Sequence, residues 1–120
     1  MSRTETLTIA NGAATSSTFK FSGQRVVGVI IPSAWTDADI TFEMEFPRDT
    51  YVKVIDEAGA IFKITGVATA ASESYLIGGG ANQADIVITG PSRGKVVSTN
   101  TGSEADVNQG AARTVGVILA

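Results

Sequence analysis

Residues 26–46, VVGVIIPSAWTDADITFEMEF, are typical of two β-strands joined by a turn. The stretch begins with an apolar run rich in β-branched residues, passes a Pro-Ser break and a tryptophan, and ends in strict alternation of apolar and polar residues. Successive side chains of a strand point to opposite faces, so alternation indicates a strand with one buried face. The pattern predicts a central strand over Val26–Ile31, covered on both faces, and a half-buried strand over residues 40–46.

The rest of the chain repeats this rhythm of short strands and turns. Pairs such as Asn11-Gly12 and Ser22-Gly23 separate the apolar segments, and such residues favour chain reversal. Spacing of this kind predicts an all-β fold, an antiparallel sandwich or barrel of eight to ten short strands. One helical turn at residues 69–73 is the single helical prediction. The other predicted strands cover residues 7–9, 19–21, 51–55, 60–65, 74–77, 85–89, 95–98 and 114–119.

Composition indicates one globular domain over residues 1–120, with 43% hydrophobic and 18% charged residues. The formal net charge is −3, and the nine basic residues are scattered, which argues against a nucleic-acid partner. The longest apolar run is far shorter than the ~18 residues of a membrane span, and the N-terminus lacks the apolar core of a signal peptide. We therefore expect no membrane association. The polar residues 1–5 are expected to fray or to form a flexible arm.

The residue inventory argues against an enzyme. The chain contains no cysteine and no histidine, and therefore lacks thiolate chemistry, the commonest general base and the commonest metal ligand. Glu43 and Glu45 form the one carboxylate pair on a strand face that resembles a glycosidase pair. Because Phe42, Met44 and Phe46 take the core side of the same strand, we expect both glutamates to face solvent. No catalytic residue and no cofactor are predicted.

Residues 90–95, GPSRGK, are similar to a phosphate-binding loop but depart from it twice. The spacing between the glycines is one residue short, and Val96 stands where a serine or threonine would hold magnesium. No helix is predicted to follow. The segment is therefore predicted to be a hairpin loop.

Asp37 and Asp39 resemble the start of a calcium loop. Such a loop needs a glycine at its sixth position and a glutamate at its twelfth, whereas this chain has Phe42 and Arg48 there. Two interpretations stay open: an irregular calcium site that uses backbone carbonyls, or a polar turn in which an aspartate caps backbone N–H groups.

Trp35 is the one aromatic residue that falls in a turn and not in a strand pattern. Aromatic residues at loop tips are enriched at protein interfaces. Tryptophan is also highly buried on average, so the ring could instead fold back and cover the open end of the sheet. Both interpretations remain open from the sequence, with burial favoured.

Two segments resemble small virion proteins of tailed bacteriophages. The first is residues 27–36, VGVIIPSAWT, followed by ADITF at residues 38–42, and the second is residues 106–115, DVNQGAARTV. Together they cover about a third of the chain. The resemblance implies a capsid decoration or cement protein with a β-sandwich or jelly-roll fold, and it carries no catalytic residues.

The resemblance also implies partners and a location for the protein. Such a protein would be made in the host bacterial cytoplasm, would lie on the capsid exterior, and would contact the major capsid protein and further copies of itself, as a homotrimer. An alternative is an accessory domain of a tail, baseplate or fibre that binds carbohydrate. The candidate contact residues are Trp35, Asp37, Asp39 and Arg3.

Overall fold

Eight strands form in the part of the chain that the computed structural model describes. That part comprises residues 3–55, 59, 63–64, 74–77, 90, 92–100, 102–103 and 105–120, with only the backbone described for residues 74–77. The strands are β1 (Arg3–Ile9), β2 (Thr15–Lys20), β3 (Val26–Ile31), β4 (Asp39–Glu45), β5 (Tyr51–Lys53), β6 (Ser74–Ile77), β7 (Arg93–Thr99) and β8 (Arg113–Leu119). No helix occurs among these residues, and so none is long and apolar enough to cross a membrane.

The eight strands form one curled sheet in the order β5-β4-β7-β2-β1-β8-β3-β6. Every strand pairing is antiparallel. Four strands lie on either side of the β1–β2 junction, where the register joins Ile9 to Ser16. β1 and β8 pair along their whole length, from Arg3↔Leu119 to Ile9↔Arg113. The curl brings the apolar faces of the two halves toward each other.

The core is one cluster of side chains drawn from both halves of the sheet. Leu7 and Ile9 of β1 alternate with exposed threonines, as a half-buried strand requires. Phe19 and Phe21 meet edge to face, with ring centroids 5.0 Å apart, a geometry that aromatic pairs prefer. The largest fully buried side chains also include Phe42, Ile31, Ile40, Leu119, Val26, Val29 and Val96.

The antiparallel all-β prediction is confirmed, and the jelly-roll sandwich stays a prediction. β3 and β6 have the predicted bounds, whereas β4 begins and ends one residue earlier than its alternation suggests. Of the segment predicted at residues 60–65, the described Ile64 forms a two-hydrogen-bond bridge with Ile40, at 2.7 and 3.2 Å. The predicted strand at residues 85–89 and the helical turn at residues 69–73 lie outside the described residues.

The placement of Phe46 in the core was wrong. Phe42 is fully buried and Met44 packs against the core, but 68% of Phe46 is exposed. Strand β4 ends at Glu45 because Pro47 has no backbone N–H with which to continue the ladder. The Phe46 N–H instead donates to the carbonyl of Thr50 at 2.7 Å, which closes a tight turn that carries the ring outward.

The N-terminal residues differ from the expected arm. β1 begins at Arg3, and residues 3–5 are paired with the end of β8 through Arg3↔Leu119, Thr4↔Ile118 and Glu5↔Val117. Residues 3–5 are therefore a sheet strand and not a free arm, because β8 supplies hydrogen-bond partners for their backbone. Residues 1–2 lie outside the described part.

Candidate functional site

The loop between β3 and β4 folds back onto the core through Trp35. The Trp35 side chain is 7% exposed, and its indole Nε1–H donates to the carbonyl of Ala38 at 3.1 Å. Burial with a satisfied N–H is the usual state of tryptophan in a core. The structure thus shows that the Trp35 ring packs into the core and is not exposed at a loop tip. The ring therefore offers little surface to a partner.

Thr36, next to Trp35, joins this loop to the segment that precedes β8. Its backbone N–H donates to Oε1 of Gln109 at 2.9 Å, and its carbonyl accepts from Nε2 of Gln109 at 3.3 Å. The guanidinium of Arg113 donates to Gln109 Oε1 and to Thr36 Oγ1, both at 3.2 Å. Gln109 is 1% exposed, so its amide is a buried polar group whose hydrogen bonds are made within the protein.

A third loop joins the same cluster through its backbone. The Gly12 N–H donates to the carbonyl of Gln109, and the Gln109 N–H donates to the carbonyl of Ala13, both at 2.9 Å. Gly12 has a φ of 80°, a left-handed conformation that glycine adopts without steric cost. Three loops therefore meet on Gln109, and we call Thr36, Gln109 and Arg113 the loop cluster.

The two aspartates of the candidate contact set have different surroundings. Asp37 is exposed in the loop, whereas Asp39 is 2% exposed at the start of β4. Burial raises the pKa of the Asp39 carboxyl, and the charge of Lys63 partly opposes that rise. No group of three or more His, Cys, Asp or Glu side chains suited to a metal ion occurs among the described residues.

Arg3, the fourth candidate contact residue, lies at the opposite end of β1 from the loop cluster. Its guanidinium donates to Gln24 Oε1 at 2.6 Å, to Glu5 Oε2 at 2.8 Å and to the carbonyls of Lys20 and Phe21. These bonds hold the start of β1 against the end of β2. The structure therefore does not bring Arg3 together with the other three candidates.

An open cleft of about 660 Å³ lies at this second end of the sheet. Its described walls come from the end of β2, the turn between β4 and β5, and the start of β7, which meet because Lys20 and Arg93 are register partners. The described lining residues are Lys20, Glu45, Phe46, Pro47, Arg48, Ser92 and Arg93, and we call this site the β4–β5 cleft.

An ion pair between Glu45 and Arg93 forms the inner wall of the cleft. Arg93 donates to Glu45 through Nη2 at 2.5 Å and Nε at 3.3 Å, and it also reaches Asp49 Oδ1 at 3.1 Å. The Arg93 hydrogen bond, followed by one from the Asp49 N–H and one from the Ser92 hydroxyl, lowers the pKa of Glu45 to about 2. The same contacts raise the pKa of Arg93.

The expectation that both glutamates face solvent was wrong for Glu45, which is 5% exposed. Arg93 and the turn at Asp49 cover its carboxylate, because long side chains on the outer face of a sheet reach across neighbouring strands. Glu43 is half-buried beside Lys53 and Lys95, its register partners. Burial, with the neighbouring Asp106 second, raises the pKa of Glu43.

The phosphate-loop-like segment leads into a strand. β7 begins at Arg93, two residues before the strand predicted at residues 95–98, so Arg93 and Gly94 lie in the sheet where a hairpin loop was expected. Pro91 lies outside the described residues. Gly94 is buried under the aromatic pair: a Cβ there would stand 2.8 Å from Phe19 Cζ and 3.1 Å from Phe21 Cε2. This close approach explains a glycine within the strand.

Sequence reasoning missed the residues that organise both ends of the sheet. Gln109 lies in the segment before β8, and nothing in the local sequence pattern marks it as buried. Arg93 was predicted to lie in a hairpin loop, and the sequence pattern gave Lys20 no functional role. Both gain their positions from the β2–β7 register, which has no local signature.

Comparisons with known proteins do not supply a family. No protein-family model matches the chain, and no significant match was found among curated proteins or solved structures.

Proposed function

We propose that this chain is a non-enzymatic structural protein of a tailed-bacteriophage virion, a decoration or cement protein on the capsid exterior. The observation that carries the proposal is the contact between its two virion-like segments. Thr36 of the first segment shares two hydrogen bonds with Gln109 of the second, at 2.9 and 3.3 Å. Strand β8, which begins within the second segment, continues beyond it to pair with β3 through Ile30↔Gly116 and Val29↔Val117. Two virion-like segments that are far apart in sequence thus meet at one end of the sheet.

The strand order supports a jelly-roll form of the domain. One half of the sheet has the order β1-β8-β3-β6 and the other β2-β7-β4-β5. The chain changes halves at every connection except that between β4 and β5. An eight-stranded antiparallel fold with two interleaved Greek keys has this connectivity, and it recurs in viral capsid domains and lectins. One fold can host many functions, so the strand order supports only the jelly-roll fold. The two virion-like segments are what support the virion role.

A cement role requires rigidity and repeated weak contacts, and no chemistry. The protein would bind the major capsid protein in the assembled shell and not the free subunit, which stabilises the shell by mass action. Assembly as a homotrimer would place three copies of each contact on the lattice, so that the second and third contacts form at high effective concentration. Asp37, which is exposed beside the loop cluster, is the remaining candidate contact at the first end of the sheet.

The direct test adds the purified chain to expanded phage heads that lack their decoration protein. We expect the chain to sediment with the heads and to raise their disruption temperature, and we expect a trimer in sedimentation velocity. Failure to bind expanded heads would exclude the cement role.

A glycan array separates this role from the carbohydrate-binding alternative. The cement role predicts no saccharide hits. Specific hits, together with absent head binding, would assign the chain to the tail, baseplate or fibre alternative.

A further inference from the structure

We propose that the β4–β5 cleft binds an acidic peptide segment of a partner protein, one that carries an apolar side chain beside its carboxylates. This proposal goes beyond the cement role, because it assigns a site and a ligand chemistry and does not depend on which protein bears the segment. It stands on the charges, the exposed aromatic ring and the shape of the cleft.

The charge of the cleft is opposite to that of the chain. Three cations and one anion line its described walls, whereas the chain carries a formal net charge of −3. Arg93 is committed to Glu45 and Asp49, which leaves Lys20 and Arg48 to face a ligand. The Arg48 side chain is 92% exposed, with Asp49 at a loose 4.0 Å. No described acidic side chain forms an ion pair with the Lys20 ammonium.

The apolar part of the cleft is Phe46 beside Pro47. Phe46 is the most exposed large hydrophobic side chain among the described residues, at 68%. Its backbone is fixed by the hydrogen bond to Thr50, and Thr50 in turn donates to the Pro47 carbonyl at 2.9 Å. A phenylalanine on a backbone fixed in this way has only its two side-chain torsions to order on binding, a small cost in conformational entropy that suits an interface anchor.

The same features argue against a polyanion as the ligand. Nucleic-acid binding needs many convergent cations, and here two are uncommitted on a chain of net negative charge. A peptide with a few carboxylates matches two cations, and its apolar side chain matches Phe46. The cleft is open and lies where the ends of β2, β4 and β7 meet, so an extended segment has access to it.

The test is a titration of the ¹⁵N-labelled protein, followed by nuclear magnetic resonance. One probe is the peptide acetyl-Glu-Leu-Asp-Phe-Glu-amide, and the other is its uncharged counterpart with glutamine and asparagine in place of the acids. We expect the acidic peptide to shift the amide signals of residues 46, 48, 49, 92 and 93, and to bind about tenfold more tightly than the uncharged one. Salt should weaken the acidic peptide's binding, because both cations are accessible to solvent. No shift at millimolar acidic peptide would overturn the proposal.

Matched variants separate the cleft from the rest of the surface. Lys20→Gln with Arg48→Gln, and separately Phe46→Ser, should each weaken binding of the acidic peptide about tenfold, the loss expected for removing one good interaction. The controls are Arg25→Gln and Ile55→Ser, which change exposed residues that are not among the described cleft residues and should bind as the wild type does. Because all the substituted side chains are exposed, we expect unchanged unfolding midpoints.

Two further outcomes contradict the proposal. Equal binding by the cleft variants and the controls would show that the site lies elsewhere. Self-association of the wild type that the cleft variants abolish, measured by sedimentation equilibrium, would show that the cleft seats a second copy of this chain and not a partner protein.

Discussion

The backbone N–H of Thr36 donates a 2.9 Å hydrogen bond to Oε1 of Gln109, a residue 73 positions further along the chain. This hydrogen bond joins the loop after β3 to the segment before β8, so the two lie side by side at one end of the sheet. The same Gln109 amide also holds Arg113, so a single buried side chain fixes both the loop and the start of the last strand. The geometry of this end of the sheet therefore depends on Gln109.

Replacing Gln109 with alanine should destabilise the protein by about 1–3 kcal/mol, because the half-buried N–H donors of Thr36 and Arg113 lose their acceptor. Urea unfolding, followed by the fluorescence of the single tryptophan, measures the change. Asn108→Ala alters an exposed neighbour and serves as the control, with an expected change within about 0.5 kcal/mol. Equal effects of the two substitutions would contradict the role given to Gln109.

Glu45 should stabilise the fold at neutral pH and lose that effect in acid. Its pKa in the folded protein is lowered from 4.5 to about 2, so the stabilisation is complete above pH 4.5 and disappears as the pH falls toward 2. Glu45→Gln should be less stable than the wild type at pH 7, and the difference should shrink across that window. A pH series of urea midpoints measures it, with Asp37→Asn as an exposed control. A difference that does not change with pH would contradict the assignment.

The contribution of the Asp39 carboxyl to stability should depend on pH in the opposite direction to that of Glu45. Burial raises the pKa of its carboxyl, so the ionised form costs stability at neutral pH, and the cost is relieved as the pH falls through the folded-state pKa toward 3.8. We expect Asp39→Asn to be at least as stable as the wild type at pH 7, and the wild type to gain on the variant in acid. The same midpoint series tests this. A loss of stability for Asp39→Asn that is largest at pH 7 and shrinks with decreasing pH would show that the assigned sign is wrong.

Gly94→Ala should destabilise the protein by about 1–3 kcal/mol through overpacking. The added Cβ would lie 2.8 Å from Phe19 Cζ and 3.2 Å from the carbonyl oxygen of Glu43, and the backbone carbonyl has little room to move. Gly102→Ala is the matched control, because its Cβ would meet only Asn100 Oδ1, at an ordinary 3.6 Å. Denaturant unfolding of both variants gives the comparison, and similar stabilities would refute the packing argument.

Much of the strand pattern was predictable because alternation is a local property. The bounds of β3 follow from a run of β-branched residues that ends before Pro32, and β6 ends where Gly78 follows its apolar residues. Strand β4 differs from its prediction by one residue at either end. The candidate site was predicted less well. The sequence marked Trp35, whose ring is buried, and passed over Gln109, which holds the loop cluster together.

The amino-acid sequence by itself determined that the chain is antiparallel all-β, since period-two patterning depends only on neighbouring residues. It also excludes reactions and metal sites that use a thiolate or an imidazole, because the chain has no cysteine and no histidine. Only the tertiary structure decided which polar residues are buried. Glu45 meets Arg93 across 48 positions because β4 and β7 are neighbours in the sheet, whereas Phe46 lies outside because its strand ends one residue earlier. Alternation assigns a side chain to a face, but long-range register decides what covers that face.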